Sequence, residues 1–327
     1  MNYLNLKILT IFTILLHLNL YFFADNATSN DLIRYGQEVG GVEFKLRGDD
    51  LTTPDDVFGR IPQPNSKSDI EKYKNGKLIY KALYTIDQYG LRISSASHLP
   101  GKTKHFFLID GSVAFGEGLS DDSTIAHLIN TRSKIYEAYS LGFLGYGPND
   151  NWLLFKQDQL SKKIKQKKGS AIIITGDQDI RRFLGTYDHL LYASTSPYLV
   201  EKSPGEFEYR GNFKKNGSLM QRLISNICAP LIFCGQHLSY FYKKTDQSQI
   251  ALAARVFASI EKMYREQFDV EDFTILWTGP DEYIPIWERN TKTKIIKFDF
   301  DKFDSSHPSV LGAKQIVDSL FLNKILH

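Results

Sequence analysis

Cysteine is scarce in this chain: Cys228 and Cys234 are the two it has. No Cys/His spacing suggests zinc. An exported protein would let the two thiols pair, and Pro230 between them would supply the bend that one unbroken helix denies. A disulfide and two buried thiols both stay open. Charge of one sign is scarce as well. A net charge of +3 over 327 residues gives no global field to recruit nucleic acid. The one basic cluster, Lys162-Lys163-Ile164-Lys165-Gln166-Lys167-Lys168, is expected to close a helix, where cations suit the negative end of the dipole. No phosphate-cradling P-loop occurs, and Gly142-x-x-Gly145-x-Gly147 has the wrong spacing for a dinucleotide fingerprint. No cofactor and no metal are expected. Hydrophobic residues at 42% and charged residues at 24% exclude a disordered chain.

The first 24 residues stand apart. A cationic start through Lys7 precedes an apolar run over 8–24, interrupted by His17 and Asn19. That order reads as a secretory signal or an uncleaved membrane anchor, and so as an exported protein with possible membrane association. Phe22-Phe23-Ala24 lacks a clean small-x-small cleavage site, so signal and anchor both stay open.

Residues 25–100 read as a β-rich N-terminal extension. Asn75-Gly76 marks a hairpin between Ile70–Lys74 and Leu78–Ile86. No titratable cluster in this segment calls for chemistry, and Arg92 is expected to pair with a carboxylate. From residue 101 to 327, strands alternate with helices. Strands are expected at Phe106–Asp110, Ile135–Leu141, Ala171–Thr175, Phe273–Trp277 and Ile295–Phe300. Helices are expected near Thr124–Thr131, from Asn149, and over Pro308–Ile325. The alternation implies an α/β fold: a three-layer α/β/α sandwich with a mostly parallel, flavodoxin-like sheet. An insertion at about 180–270 interrupts it, with a hairpin over Tyr198–Phe213, an apolar stretch over Ser218–Tyr242 broken at Pro230, and an amphipathic helix over Leu252–Phe268. Part of the insertion is the crossover to the fourth strand, and the rest is a lid or partner surface.

Ligands of such sheets sit at the carboxyl ends of the strands. Three clusters fall there: Gly111-Ser112, Gly142–Gly147 and Gly176–Asp179. A serine on a glycine-relieved turn after a buried strand can project a nucleophile from the sheet edge, and on its own it reads more simply as the small capping residue of a βα loop. Asp304-Ser305-Ser306-His307-Pro308 supplies the complement. Pro308 keeps His307 out of helical conformation and suits the first position of the helix behind it. A helix start there disfavours the imidazolium and would keep His307 neutral near pH 7. Asp304, on the same short loop, can accept Nδ1–H and leave Nε2 to take a serine proton. Oxyanion donors are expected from the Ser112 and Gly145 amides and the Gln178 side chain.

These blocks resemble the SGNH (GDSL-like) hydrolase superfamily from about Lys104 to the C-terminus. Asp110-Gly111-Ser112 with Gly116 and Gly118 is similar to the nucleophile block, although the usual order is Gly-Asp-Ser. The stretch Leu141–Gly147 resembles the oxyanion-glycine block, with Gly145 in the functional place. Gly176-Asp177-Gln178-Asp179 stands where Gly-x-Asn-Asp is usual, with a longer amide in place of Asn. Asp304-x-x-His307 matches the last block in full. The resemblance implies an ester hydrolase or acyl-transfer enzyme of exported type. Its triad would be Ser112, His307 and Asp304, and its substrate a small-molecule or glycan ester, with O-acetylated glycans and lipid-like esters both open. Two alternatives stay open. The altered first and third blocks suit a catalytically silent envelope glycan- or partner-binding domain, and Asp177-Gln178-Asp179 could be the metal-binding Asp-x-Asp of a glycosyltransferase.

Overall fold

The computed structural model describes residues 42–94, 101–228, 245–304 and 307–326. The expectations for residues 1–24, for the Cys228–Cys234 pairing and for a break at Pro230 lie outside them.

The N-terminal extension is antiparallel. Strands β1 (Val42–Gly48), β4 (Lys67–Lys74) and β5 (Lys77–Thr85) form one sheet in the order β1-β4-β5, and β2 (Thr52–Asp55) pairs with β3 (Gly59–Pro62). Asn75 and Gly76 close the β4–β5 hairpin with φ of 51° and 74°. Positive φ at both central residues is what a two-residue loop needs to follow strand twist, and Asn-Gly tolerates it best. In β5, Tyr80, Ala82, Tyr84 and, just beyond, Ile86 are buried. This period of two turns one face toward the rest of the molecule.

The second sheet is five-stranded and wholly parallel. Its members are β6 (Lys104–Ile109), β7 (Tyr136–Ser140), β8 (Lys168–Thr175), β11 (Asp269–Trp277) and β12 (Lys294–Lys297), in the order β12-β11-β8-β6-β7. Read from β7, the chain order is that of a flavodoxin-like sheet, and its switch point falls between β6 and β8. In β6, Phe107 and Ile109 face one core while Phe106 and Leu108 face the other. Burial on both faces is why the strand reads as an unbroken apolar run. On the first face lie α3 (Pro148–Lys156), α5 (Gln247–Gln267) and α6 (Ile284–Asn290), joined by the buried side of the N-terminal extension. On the other lie α2 (Ile125–Arg132) and α7 (Val310–Leu322). The fold is α/β in three layers. Within the insertion, β9 (Pro197–Ser203) and β10 (Glu206–Asn212) form the expected hairpin, and α5 is the crossover that leads into β11.

Three expectations need correction. The last strand stops at Lys297 and not Phe300, because the Asp299 carboxylate takes the Phe300 amide and turns the chain away. The last helix starts at Val310 and not Pro308, because Ser309 is the cap and accepts from the Gly312 amide. The basic cluster closes a helix with its first part only: Lys162 and Lys163 sit in the last turn of a short helix, Ile164 turns inward, and Lys168 already opens β8.

Candidate active site

The carboxyl end of β6 carries Asp110, Gly111 and Ser112, with Ser112 opening the single-turn helix α1 (Ser112–Phe115). Gly111 is required sterically. A Cβ there would collide with the Tyr146 carbonyl oxygen of the neighbouring loop. The inverted Asp-Gly-Ser order thus places the residue without a side chain where two strand-end loops press together.

Beyond α1, Gly116 and Gly118 both have φ of 82°. These two left-handed residues fold the loop back and hold Glu117 between them. Two groups from the extension fix that loop. Tyr84 accepts the Gly118 amide through its hydroxyl at 2.8 Å. Arg92 donates to the carbonyls of Phe115, Gly116 and Leu119, pairs with Asp121, and stacks on Tyr84 and Phe115. The carboxylate expected for Arg92 is Asp121, although carbonyls do most of the binding.

His307 sits on the loop before α7. Phe303 donates its amide to the His307 carbonyl, and Lys302 bridges Pro308, which brings the two ends of this loop together. The Asp304 carboxylate bends back to accept the His307 amide at 2.8 Å and Nδ1 at 2.9 and 3.0 Å. The Phe303 ring lies parallel to the imidazole at 5.7 Å between centroids. It fits there because Gly118 has no side chain to displace it. His307 Nε2 is 2.8 Å from Ser112 Oγ. The structure therefore brings Ser112, His307 and Asp304 into one chain of contacts, with Ser112 and His307 both buried.

A second carboxylate reaches the same nitrogen. Glu117 Oε2 lies 3.2 Å from His307 Nε2. Lys72, from β4, reaches Glu117 Oε1 at 3.0 Å and Asp304 Oδ2 at 3.4 Å, and Tyr80 donates to Glu117 Oε1 at 3.3 Å. Burial disfavours the imidazolium of His307. The Glu117 charge and the hydrogen bonds from Asp304 and Glu117 overcome this and hold its pKa up at about 9. Burial also works against the Glu117 carboxylate, but the His307 charge and hydrogen bond, with Lys72 behind them, bring it down to about 2. Below Ser112, buried Asp110 is pushed well above the usual carboxylate range by desolvation and by the charge of Asp179.

These contacts overturn two expectations. His307 is not kept neutral by a helix start: Ser309 caps the helix, and two carboxylates favour the cation. Nor is the extension free of groups that bear on chemistry, since Lys72, Tyr80 and Tyr84 all converge on the Glu117 loop. Glu117 lay in plain sight between two glycines of the nucleophile block. Lys72 had no legible mark, because strand pairing alone brings it across.

The proposed oxyanion donors are placed unequally. Gln178, near the start of α4 (Asp177–Leu184), lines the same cavity of about 280 Å³ as Ser112. Its neighbours there include Arg181, Thr278, Phe300 and Lys302. Gly145, with φ of 76°, does not line that cavity. It lies against the guanidinium of Arg60 from β3, which donates to the Leu144 carbonyl at 3.0 Å. The Asp177-Gln178-Asp179 stretch is not arranged as a metal site. Asp177 pairs with Arg181, and Asp179 accepts from the Gly176 amide and Thr175 while pairing with Arg182. Those are the contacts of a helix cap and its supports.

No family model matches the chain, and no curated protein matches it. Among solved structures, an acetyl xylan esterase from the rumen bacterium Butyrivibrio proteoclasticus is similar at 12% identity and a TM-score of 0.34, over 82% of this chain and 73% of that one. A likeness at that level carries nothing about chemistry, which rests here on the side chains alone.

Proposed function

We propose that the chain is a serine ester hydrolase or acyl-transfer enzyme of SGNH type, acting on an O-acyl ester. The reading rests on the contact chain from Ser112 Oγ through His307 to Asp304. Ser112 Oγ attacks the ester carbonyl carbon while neutral His307 takes its proton at Nε2. Asp304 holds Nδ1–H and so fixes the tautomer. The tetrahedral oxyanion collapses, the ester C–O bond breaks, and His307 returns the proton to the leaving alkoxide. Water, or a sugar hydroxyl, then attacks the acyl-enzyme by the reverse proton path. Gln178 and the Ser112 amide are the oxyanion donors best placed beside the cavity, and Gly145 is the weaker member of the set. A lining of Asp177, Gln178, Arg181, Thr278 and Lys302, polar and carrying both signs of charge, suits a hydroxyl-rich ester such as an acylated glycan better than a long acyl chain.

The test is hydrolysis of p-nitrophenyl acetate at pH 9 by wild type and Ser112→Ala. A loss of roughly 10⁴-fold or more is expected, and equal rates would sink the assignment. A silent binding domain is the second reading, favoured by Glu117 on Nε2 and Arg60 against Gly145. It predicts that a fluorophosphonate probe leaves Ser112 unlabelled at pH 9 while glycan binding persists. Export, with the apolar run over 8–24 as signal or anchor, belongs to the same proposal, and fractionation of cells expressing the chain with and without residues 1–24 tests it.

A further inference from the structure

The acceptor nitrogen of the triad has two claimants. Nε2 of His307 lies 2.8 Å from Ser112 Oγ and 3.2 Å from Glu117 Oε2. A bare nitrogen lone pair facing a carboxylate at that distance is repulsive, whereas an N–H facing it is a charge-assisted hydrogen bond. The arrangement therefore suits a protonated ring whose Nε2–H is shared between the serine oxygen and the carboxylate. A ring in that form cannot accept the serine proton. Lys72 acts against the arrangement, because its ammonium draws on both carboxylates that flank the ring. Its side chain is largely buried, packed over the rings of Phe44 and Tyr80, so solvent screens it little.

We propose that Glu117 and Lys72 are positioning residues of the triad: Glu117 competes with Ser112 for His307 Nε2, and Lys72, delivered by the N-terminal sheet, sets how strongly it competes. The proposal rests on the triad reading given above. The charged and titratable groups facing the ring are Glu117 and Asp304 in contact, Lys72 and Tyr80 behind them, and Asp110 below Ser112. The resting ring is held in the form that cannot start the reaction, and anything that draws Glu117 away releases it. A hydroxyl of the incoming substrate that donates to Glu117 would do so at the moment of binding.

The test follows the protonation of His307 directly, by its ring ¹H and ¹⁵N shifts against pH in the Ser112→Ala background, where no turnover is needed. Glu117→Gln should move the midpoint down by roughly one to three pH units, and Lys72→Met should move it up. In the enzyme with Ser112 intact, the acid limb of kcat/KM should follow in the same directions, so that Glu117→Gln gains activity at pH 7. A midpoint unmoved in Glu117→Gln overturns the inference, even if Ser112 proves to be a nucleophile. If Glu117→Gln does not fold, Lys72→Met decides alone, and an unchanged or lowered midpoint overturns it. Absence of esterase activity with the titration shifted as stated sinks the function and leaves the competition for Nε2 standing.

Discussion

The parallel sheet and the antiparallel sheet both deliver groups to His307, but by different means. The parallel sheet works through backbone: β6 stops at a glycine pressed on the Tyr146 carbonyl, and Ser112 emerges where the strand ends diverge. The antiparallel sheet works through side chains that cross a packed boundary. Lys72 touches both carboxylates of the site, Tyr80 touches one of them, and Tyr84 holds the loop between. One sheet fixes where Ser112 stands. The other brings charge to the carboxylates around His307.

Changes on the parallel-sheet side should abolish turnover. The largest effect belongs to Asp304→Asn. An amide would present N–H to Nδ1, force the proton to Nε2, and lower kcat on the order of 10⁴-fold, measured at pH 9 where a large share of wild-type rings is neutral. Wild type itself provides the next effect. With the His307 pKa raised to about 9, the protonated ring dominates at pH 7. The rate of p-nitrophenyl acetate hydrolysis should climb with pH toward that point, and a flat profile between pH 7 and 9 would contradict the raised pKa of His307.

Stability should run the other way. His307 has a raised pKa, so its contribution is complete below its ordinary value of 6.5 and is lost as pH rises through about 9. Glu117 has a lowered pKa, so its contribution is complete above its ordinary value of 4.5 and is lost as pH falls through about 2. Thermal unfolding should therefore be latest between these two ordinary values, and Tm should fall across the range where activity climbs. Parallel rises of both would break the comparison. The smallest effect should come from Gly76→Ala at the far end of the extension. A side chain at that left-handed position meets no neighbour, so the cost is conformational, about 1 to 2 kcal/mol. Denaturant midpoints should record it while the pH profile stays in place.

Much of the molecule was legible because its causes are local. The apolar runs of β6 and β8, the Asn-Gly turn, and the Asp304–His307 spacing each state their geometry within a few residues. The strand ends also placed Ser112, Gly145 and Gln178 in neighbouring loops. What escaped has long-range causes. Lys72 faces Glu117 because β4 pairs with β5 and β5 packs on the loop after Ser112, and neither fact is written beside either residue. Reading His307 as neutral failed for the same reason. The helix start was a local expectation, and it lost to a carboxylate that the fold brings in from the loop after α1.

Arg92 has a bearing on how the protein can be divided. Its guanidinium fills a ring of carbonyls that belong to the loop after Ser112, along with one from Leu83 in β5. Cutting the chain just before residue 101 would remove that cation and leave buried oxygens without donors, each costing about 1 to 3 kcal/mol. The junction that looks like a seam in the sequence is thus stitched through the loop that follows Ser112. The extension and the sheet it covers should melt together, in one cooperative step, and neither half should make a dependable fragment for expression or grafting.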